Sequence, residues 1–194
     1  MNPLEAAYYF FASRRKRNAE AHRVDFPATK IISVGNLSTG GTGKTPVVQW
    51  LAKSFADEGV KAAIVARGYG GEYSGRGAIV SDGEKILLTS QQSGDEAFLH
   101  ARSLRSTPVV IGRDRVAATR MAIEKFAPEI VLRDDGFQYW SLARAFDLVV
   151  LDARRPFGNG KLLPSGRLRE PQSALRRASG VLLTRADAAN ADEL

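Results

Sequence analysis

The residues with the greatest chemical capacity gather in the run Lys30-Ile-Ile-Ser-Val-Gly35-Asn-Leu-Ser38-Thr39-Gly40-Gly41-Thr42-Gly43-Lys44-Thr45-Pro46. Its glycines let backbone N–H groups approach an anion without side-chain clash. A helix opening at Gly43-Lys44-Thr45 adds partial positive charge at the same point. Lys44 has the reach for the outer phosphates of a nucleoside triphosphate, and the Thr45 hydroxyl suits Mg²⁺. The spacing therefore predicts a phosphate cradle built from Ser38, Thr39, Gly40, Gly41, Thr42, Gly43, Lys44 and Thr45. Ser38 stands where the pattern G-x-x-x-x-G-K-[ST] has glycine, so the match is to the G-G-x-G-K-T variant.

Asp134 and Asp135 close an apolar segment downstream of the cradle. Adjacent carboxylates at a buried strand end need a cation, and Mg²⁺ on a phosphate fits. Gly94-Asp95-Glu96 opens a helical stretch, where acids also serve the helix dipole. Arg67 and Tyr69 sit in a glycine-rich turn suited to clamping an anionic substrate or simply to a surface turn. Arg167, Arg169 and Glu170 lie in a long Gly/Pro-rich loop, Arg155 to Pro171, and loops of that length are usually functional. His22 and His100 read as surface and helix-face residues.

The elements that must position these groups alternate. Strands are expected at 28–34, 61–66, 109–111, 130–133, 147–151 and 181–184, with a hairpin at 77–89 around Asp82-Gly83. Helices are expected at 46–58, 93–105 and 115–126, the last with Val116, Thr119, Ile123 and Phe126 inward, and a short helix should precede the last strand. This alternation predicts an α/β fold with a mostly parallel sheet covered on both faces. A further helix begins at Asn2-Pro3-Leu4-Glu5, capped by Asn2, with Leu4, Ala7, Tyr8 and Phe11 on one face and Arg14-Arg15-Lys16-Arg17 after it. It fits an anionic membrane surface through residues 4–17, or a packed helix with a solvated basic end. Asn190 to Glu193 carries the cap and acid of another helix start, which reads as a chain that continues in a longer protein.

At 194 residues the chain can hold one α/β domain, and a net charge of +7 favours anionic partners. Nucleic acid is not expected, because the basic residues are scattered among acids outside 14–17 and no recognition motif is present. With no cysteine there are no disulfides or thiolate metal sites. The sequence shows neither an apolar run of membrane-spanning length nor a signal-peptide pattern.

In order, Val34 to Pro46, Arg67-Gly-Tyr-Gly70, Gly94-Asp-Glu96, Asp134-Asp-Gly-Phe-Gln138, Leu162 to Pro171 and Leu183-Thr-Arg185 resemble the tetraacyldisaccharide 4′-kinases of Gram-negative bacteria over nearly the whole chain. The resemblance implies a P-loop NTPase-like three-layer fold preceded by an amphipathic helix, with 1–24 as the membrane-associating helix and 25–194 as the kinase domain. It implies ATP and Mg²⁺ as cofactors and phosphorylation of the 4′-hydroxyl of a lipid A disaccharide precursor at the cytoplasmic face of the inner membrane. Asp95 would activate the acceptor hydroxyl beside Lys44. Thr45, Asp134, Asp135 and Glu170 would hold metal, and Arg67, Tyr69, Glu96, Arg115, Gln138 and Arg169 would contact substrate. Two departures stand out: Tyr139 replaces a family histidine, and the family's second α/β part, with the histidine partner of the catalytic Asp, is not in this sequence. The other classes compatible with the motifs are a switch ATPase and a non-catalytic nucleotide-binding fragment.

Overall fold

The computed structural model describes residues 2–188. Its strands are β1 (Lys30–Gly35), β2 (Ala62–Ala66), β3 (Ala78–Ser81), β4 (Val109–Ile111), β5 (Ile130–Asp134), β6 (Phe146–Asp152) and β7 (Gly180–Thr184). They form one sheet in the order β3-β4-β2-β5-β1-β6-β7, parallel throughout except for β3 against β4. Every residue of β2 and β5 is buried, as expected where helices cover both faces.

Side-chain alternation divides the core. Ile32, Val34, Leu132, Leu148 and Val150 face the helices α2 (Lys44–Asp57) and α4 (Asp95–Ser103). Ile31, Val131 and Val65 face α5 (Arg115–Phe126). A third cluster, with Leu37, Phe137, Val149, Leu151, Leu162 and Leu168, packs the long loop onto the sheet beside Tyr8 of α1 (Pro3–Ala21). The expected three-layer α/β architecture is therefore present.

Several local expectations change. The hairpin has only one regular arm: β3 pairs with β4, while the segment beyond Asp82-Gly83 contributes a single bridge, Ser81 to Ile86. The helix expected at 93–105 is split into α3 (Ser90–Ser93) and α4 by Gly94. On α5 the buried line is Arg115, Ala118, Thr119 and Ala122, because small residues let the helix sit close to the sheet, and Val116 and Ile123 flank it. Asn2 caps α1 as expected, accepting from the Glu5 N–H at 2.9 Å. Yet Leu4, Phe10 and Phe11 point outward and are 66%, 56% and 68% exposed, while Tyr8 faces the domain. None of the described helices is long and apolar enough to cross a membrane. The helix start read at 190–193 lies outside the described residues.

Candidate active site

β1 delivers the chain to the phosphate loop and α2 carries it away, so the loop sits at the carboxyl edge of the sheet. The N–H groups of Gly40 to Thr45 donate to no backbone carbonyl among the described residues. Gly43 caps α2 at φ 84°, a left-handed conformation that favours glycine, and a Cβ there would also press on the Thr184 methyl at 3.2 Å. Ser38 and Thr39 are employed differently. The Thr39 N–H donates to the Arg167 carbonyl at 2.7 Å, and Ser38 bridges Leu168, which ties the long loop to the cradle. β7 braces it from the other side: Thr184 Oγ1 donates to the Thr42 carbonyl at 2.8 Å, and Arg185 to the Gly41 carbonyl at 3.0 Å.

The carboxylates at the end of β5 face two environments. Asp135, held at φ 52°, meets Arg169 Nη1 at 2.9 Å and Lys44 Nζ at 3.7 Å. Burial works to raise its pKa, but Arg169 and Lys44 outweigh it and hold the carboxyl below the usual aspartate value. Asp134 is buried, and its Oδ2 accepts the Nε2–H of fully buried His100 at 3.0 Å. Its Oδ1 has no partner among the described residues. His100 is therefore no surface residue. It shares the inward line of α4 with Ala97, Ala101 and Leu104, a 3–4 spacing visible in the sequence.

Glu96 joins this group through space. Burial and the Asp134 charge raise its pKa, opposed by Lys44. Asp95, the first residue of α4, is exposed. The turn bearing Arg67 and Tyr69 is pressed onto the start of α4: at Gly94, φ 82°, a Cβ would lie 2.4 Å from the Tyr69 carbonyl oxygen. Only glycine permits that approach, and it sets the backbone of the Gly68-Tyr69 turn against the start of α4. Tyr69 is 77% exposed.

Three predicted site residues are mainly braces. Gln138 Nε2 donates to the Asn36 carbonyl at 2.8 Å and to Glu170 at 3.1 Å. Glu170 already has a cation, Arg177, at 2.7 Å. Arg115 is buried against the carbonyls of Gly112 and Arg113. Burial and nearby Arg67 push its pKa down. Among the described residues no three carboxylate or imidazole groups form a ready metal cage.

Sequence reading also missed Arg133. It is fully buried behind the Asp134-Asp135 turn, and none of its nitrogens has a hydrogen-bond partner among the described residues. Burial, with Arg115 and Arg144 nearby, pushes its pKa down to about 9. Tyr139 offers the compensation a histidine cation could not: its ring centroid lies 4.7 Å from the Arg133 guanidinium. Its hydroxyl accepts the Arg115 N–H at 3.2 Å and contacts Asp114, the cap of α5.

The family model for tetraacyldisaccharide-1-P 4′-kinase matches residues 1–194. A tetraacyldisaccharide 4′-kinase of Pelobacter propionicus is 45% identical over 171 residues, covering 88% of this chain and 46% of that protein. That of Syntrophus aciditrophicus is 49% identical over 156 residues, covering 80% and 42%. Among solved structures, the "apo" form of LpxK from Aquifex aeolicus in complex with ATP superposes with a TM-score of 0.86 at 34% identity, covering 95% of this chain and 58% of that one. The chain spans about half the length of the curated relatives it matches.

Proposed function

The chain belongs to the tetraacyldisaccharide 4′-kinase family, and from that premise we propose that it is the nucleotide-binding part of a lipid kinase. The reaction moves the γ-phosphoryl group of ATP to the 4′-hydroxyl of a tetraacylated glucosamine disaccharide 1-phosphate. The work is done at the cytoplasmic face of the inner membrane. The observation that carries this reading is the meeting of Lys44, Asp135 and Arg169 beside the unpaired N–H groups of Gly40 to Thr45.

The backbone N–H groups and Lys44 hold the phosphates, and Arg169 steadies Asp135 beside them. The acceptor oxygen bonds to the γ-phosphorus as the bond to the β,γ-bridging oxygen breaks. The hydroxyl proton passes to the exposed carboxylate of Asp95. Arg67 and Tyr69 hold the acceptor next to it. The residues fit Mg²⁺: the Thr45 hydroxyl, the unpartnered Oδ1 of Asp134 and Asp135 are hard oxygen donors, with phosphate and water left to complete the shell. When bound, the ion neutralises phosphate charge. Glu170, already paired with Arg177, supports this arrangement from behind through Gln138. The outward Leu4, Phe10 and Phe11 with Arg14 to Arg17 rest on the anionic bilayer.

Calorimetric titration of the chain with Mg·ATP tests the nucleotide reading. Lys44→Ala removes a charge-assisted contact of about 1.5–3 kcal/mol, so affinity should fall roughly 10- to 150-fold. Unchanged affinity would remove the cradle assignment.

A further inference from the structure

One polar contact in the interior is only half complete. The side chains of His100 and Asp134 are 0% and 4% exposed, and His100 Nε2 donates to Asp134 Oδ2 at 3.0 Å. A carboxylate only accepts, so the ring proton of this bond sits on Nε2. His100 Nδ1 and Asp134 Oδ1 are buried and have no partner among the described residues. Nor does any Lys or Arg pair with Asp134 among them, whereas the adjacent Asp135 has both Arg169 and Lys44. A half-satisfied buried pair costs stability, and well-packed apolar side chains of similar volume would serve the core at least as well. Packing alone gives no reason for a histidine and a carboxylate here. The free oxygen points to a ligand.

The fold says where that oxygen stands. Strand alternation puts Asp134 on the same face of the sheet as Leu132, the face covered by α2 and α4. Its Cα registers with Val34, one residue before β1 ends and the chain enters the phosphate loop. On α4, buried Ala97 and Ala101 lie either side of His100, and such small side chains let the helix sit close enough for the imidazole to reach β5. The bond to Asp134 is the only side-chain hydrogen bond that α4 makes among the described residues. Resting on the proposed kinase reading, we infer that His100 is a positioning residue for the cation: by occupying Oδ2 it fixes the Asp134 carboxylate and leaves Oδ1 as the oxygen offered to Mg²⁺ bound with ATP. The same bond ties α4 to β5, and Asp95 is the first residue of α4. One cross-link thus sets the metal ligand and the helix that carries the acceptor-activating carboxylate. Hydrogen bonds that hold a metal-ligating carboxylate from behind are worth about 10- to 100-fold in metal affinity.

The test is calorimetric titration of the 194-residue chain with ATP, once with Mg²⁺ and once with EDTA, for wild type, His100→Gln and His100→Asn. The Gln amide nitrogen extends to the place of Nε2, while that of Asn stops at the place of Nδ1. Both variants keep a polar side chain in the buried site. Affinity without metal reads the phosphate cradle alone, so it should match wild type in both and also reports that they are folded. The gain in affinity on adding Mg²⁺ should survive in His100→Gln and shrink about 10- to 100-fold in His100→Asn. A wild-type gain in His100→Asn, or equal losses in the two variants, overturns the inference and leaves the kinase reading standing. Loss of metal-free ATP binding in both variants makes His100 a packing residue and overturns it as well. A wild type whose ATP affinity is indifferent to Mg²⁺ counts against the metal assignment of the kinase reading itself, and the inference falls with it.

Discussion

At the scale of residues, the site is a competition for charge. Asp135 keeps its carboxylate because Arg169 and Lys44 overcome the cost of burial. Its folded pKa is lowered, so the stability it contributes is complete above the unfolded value of about 3.9 and is lost as pH falls through the folded value. Removing the main cation should therefore move acid unfolding to higher pH. Circular dichroism of Arg169→Gln against wild type during acid titration checks this, and coincident midpoints would contradict it. Much of this cluster was legible in sequence, because Lys44, Asp134 and Asp135 sit at a loop and a strand end that chemistry singles out. His100 and Arg133 were not. A lone histidine in a helix and a lone arginine in a strand have no motif, and only the helix spacing of His100 hinted at its inward place. Glu170 and Gln138 could be singled out from their motifs, but their commitment to Arg177 and the Asn36 carbonyl depends on contacts between distant segments.

Between elements, the loops are positioned by a few cross-links. Tyr139 joins the turn after β5 to the start of α5 through the Arg115 N–H and Asp114. Tyr139→Phe keeps the ring over Arg133 but leaves these groups without their partner, so it should cost about 1 kcal/mol. Chemical denaturation would read this as a lower midpoint at unchanged slope, and an unshifted midpoint would deny the tether. The parallel strands could be read from apolar runs between helical stretches. The pairing of β3 with β4 could not, because a turn at Asp82-Gly83 looks alike whether or not both arms join a sheet. For α1, periodicity identified a helix but not which face the domain takes, since Tyr8 and Phe11 are both aromatic. Contact with the Arg169 carbonyl turns Tyr8 inward and leaves Phe10 and Phe11 out. If those rings enter a bilayer, Phe10→Ser/Phe11→Ser should reduce binding to anionic vesicles at least tenfold, at about 1.5–3 kcal/mol for each fully buried ring. Equal co-sedimentation would sink the bilayer role of α1.

Across the whole molecule, the proposed division of labour is spatial. One edge of the sheet gathers the phosphate loop, the Asp134-Asp135 turn and the start of α4, while α1 turns apolar side chains outward. Phosphoryl transfer is mostly positioning and charge stabilisation, so nucleotide binding and transfer need not be complete in the same length of chain. The 194 residues should bind ATP yet transfer phosphate poorly. The same residues within a chain of the relatives' full length should be active, with Asp95→Ala losing about 10²–10⁴-fold in rate. The decisive measurement is ³²P transfer from [γ-³²P]ATP to the tetraacylated disaccharide 1-phosphate by that full-length chain, with and without Lys44→Ala. The expected product is a labelled lipid bearing the new phosphate at the 4′ position, lost with Lys44→Ala. ATP consumption without labelled lipid, or labelling indifferent to Lys44, would contradict it.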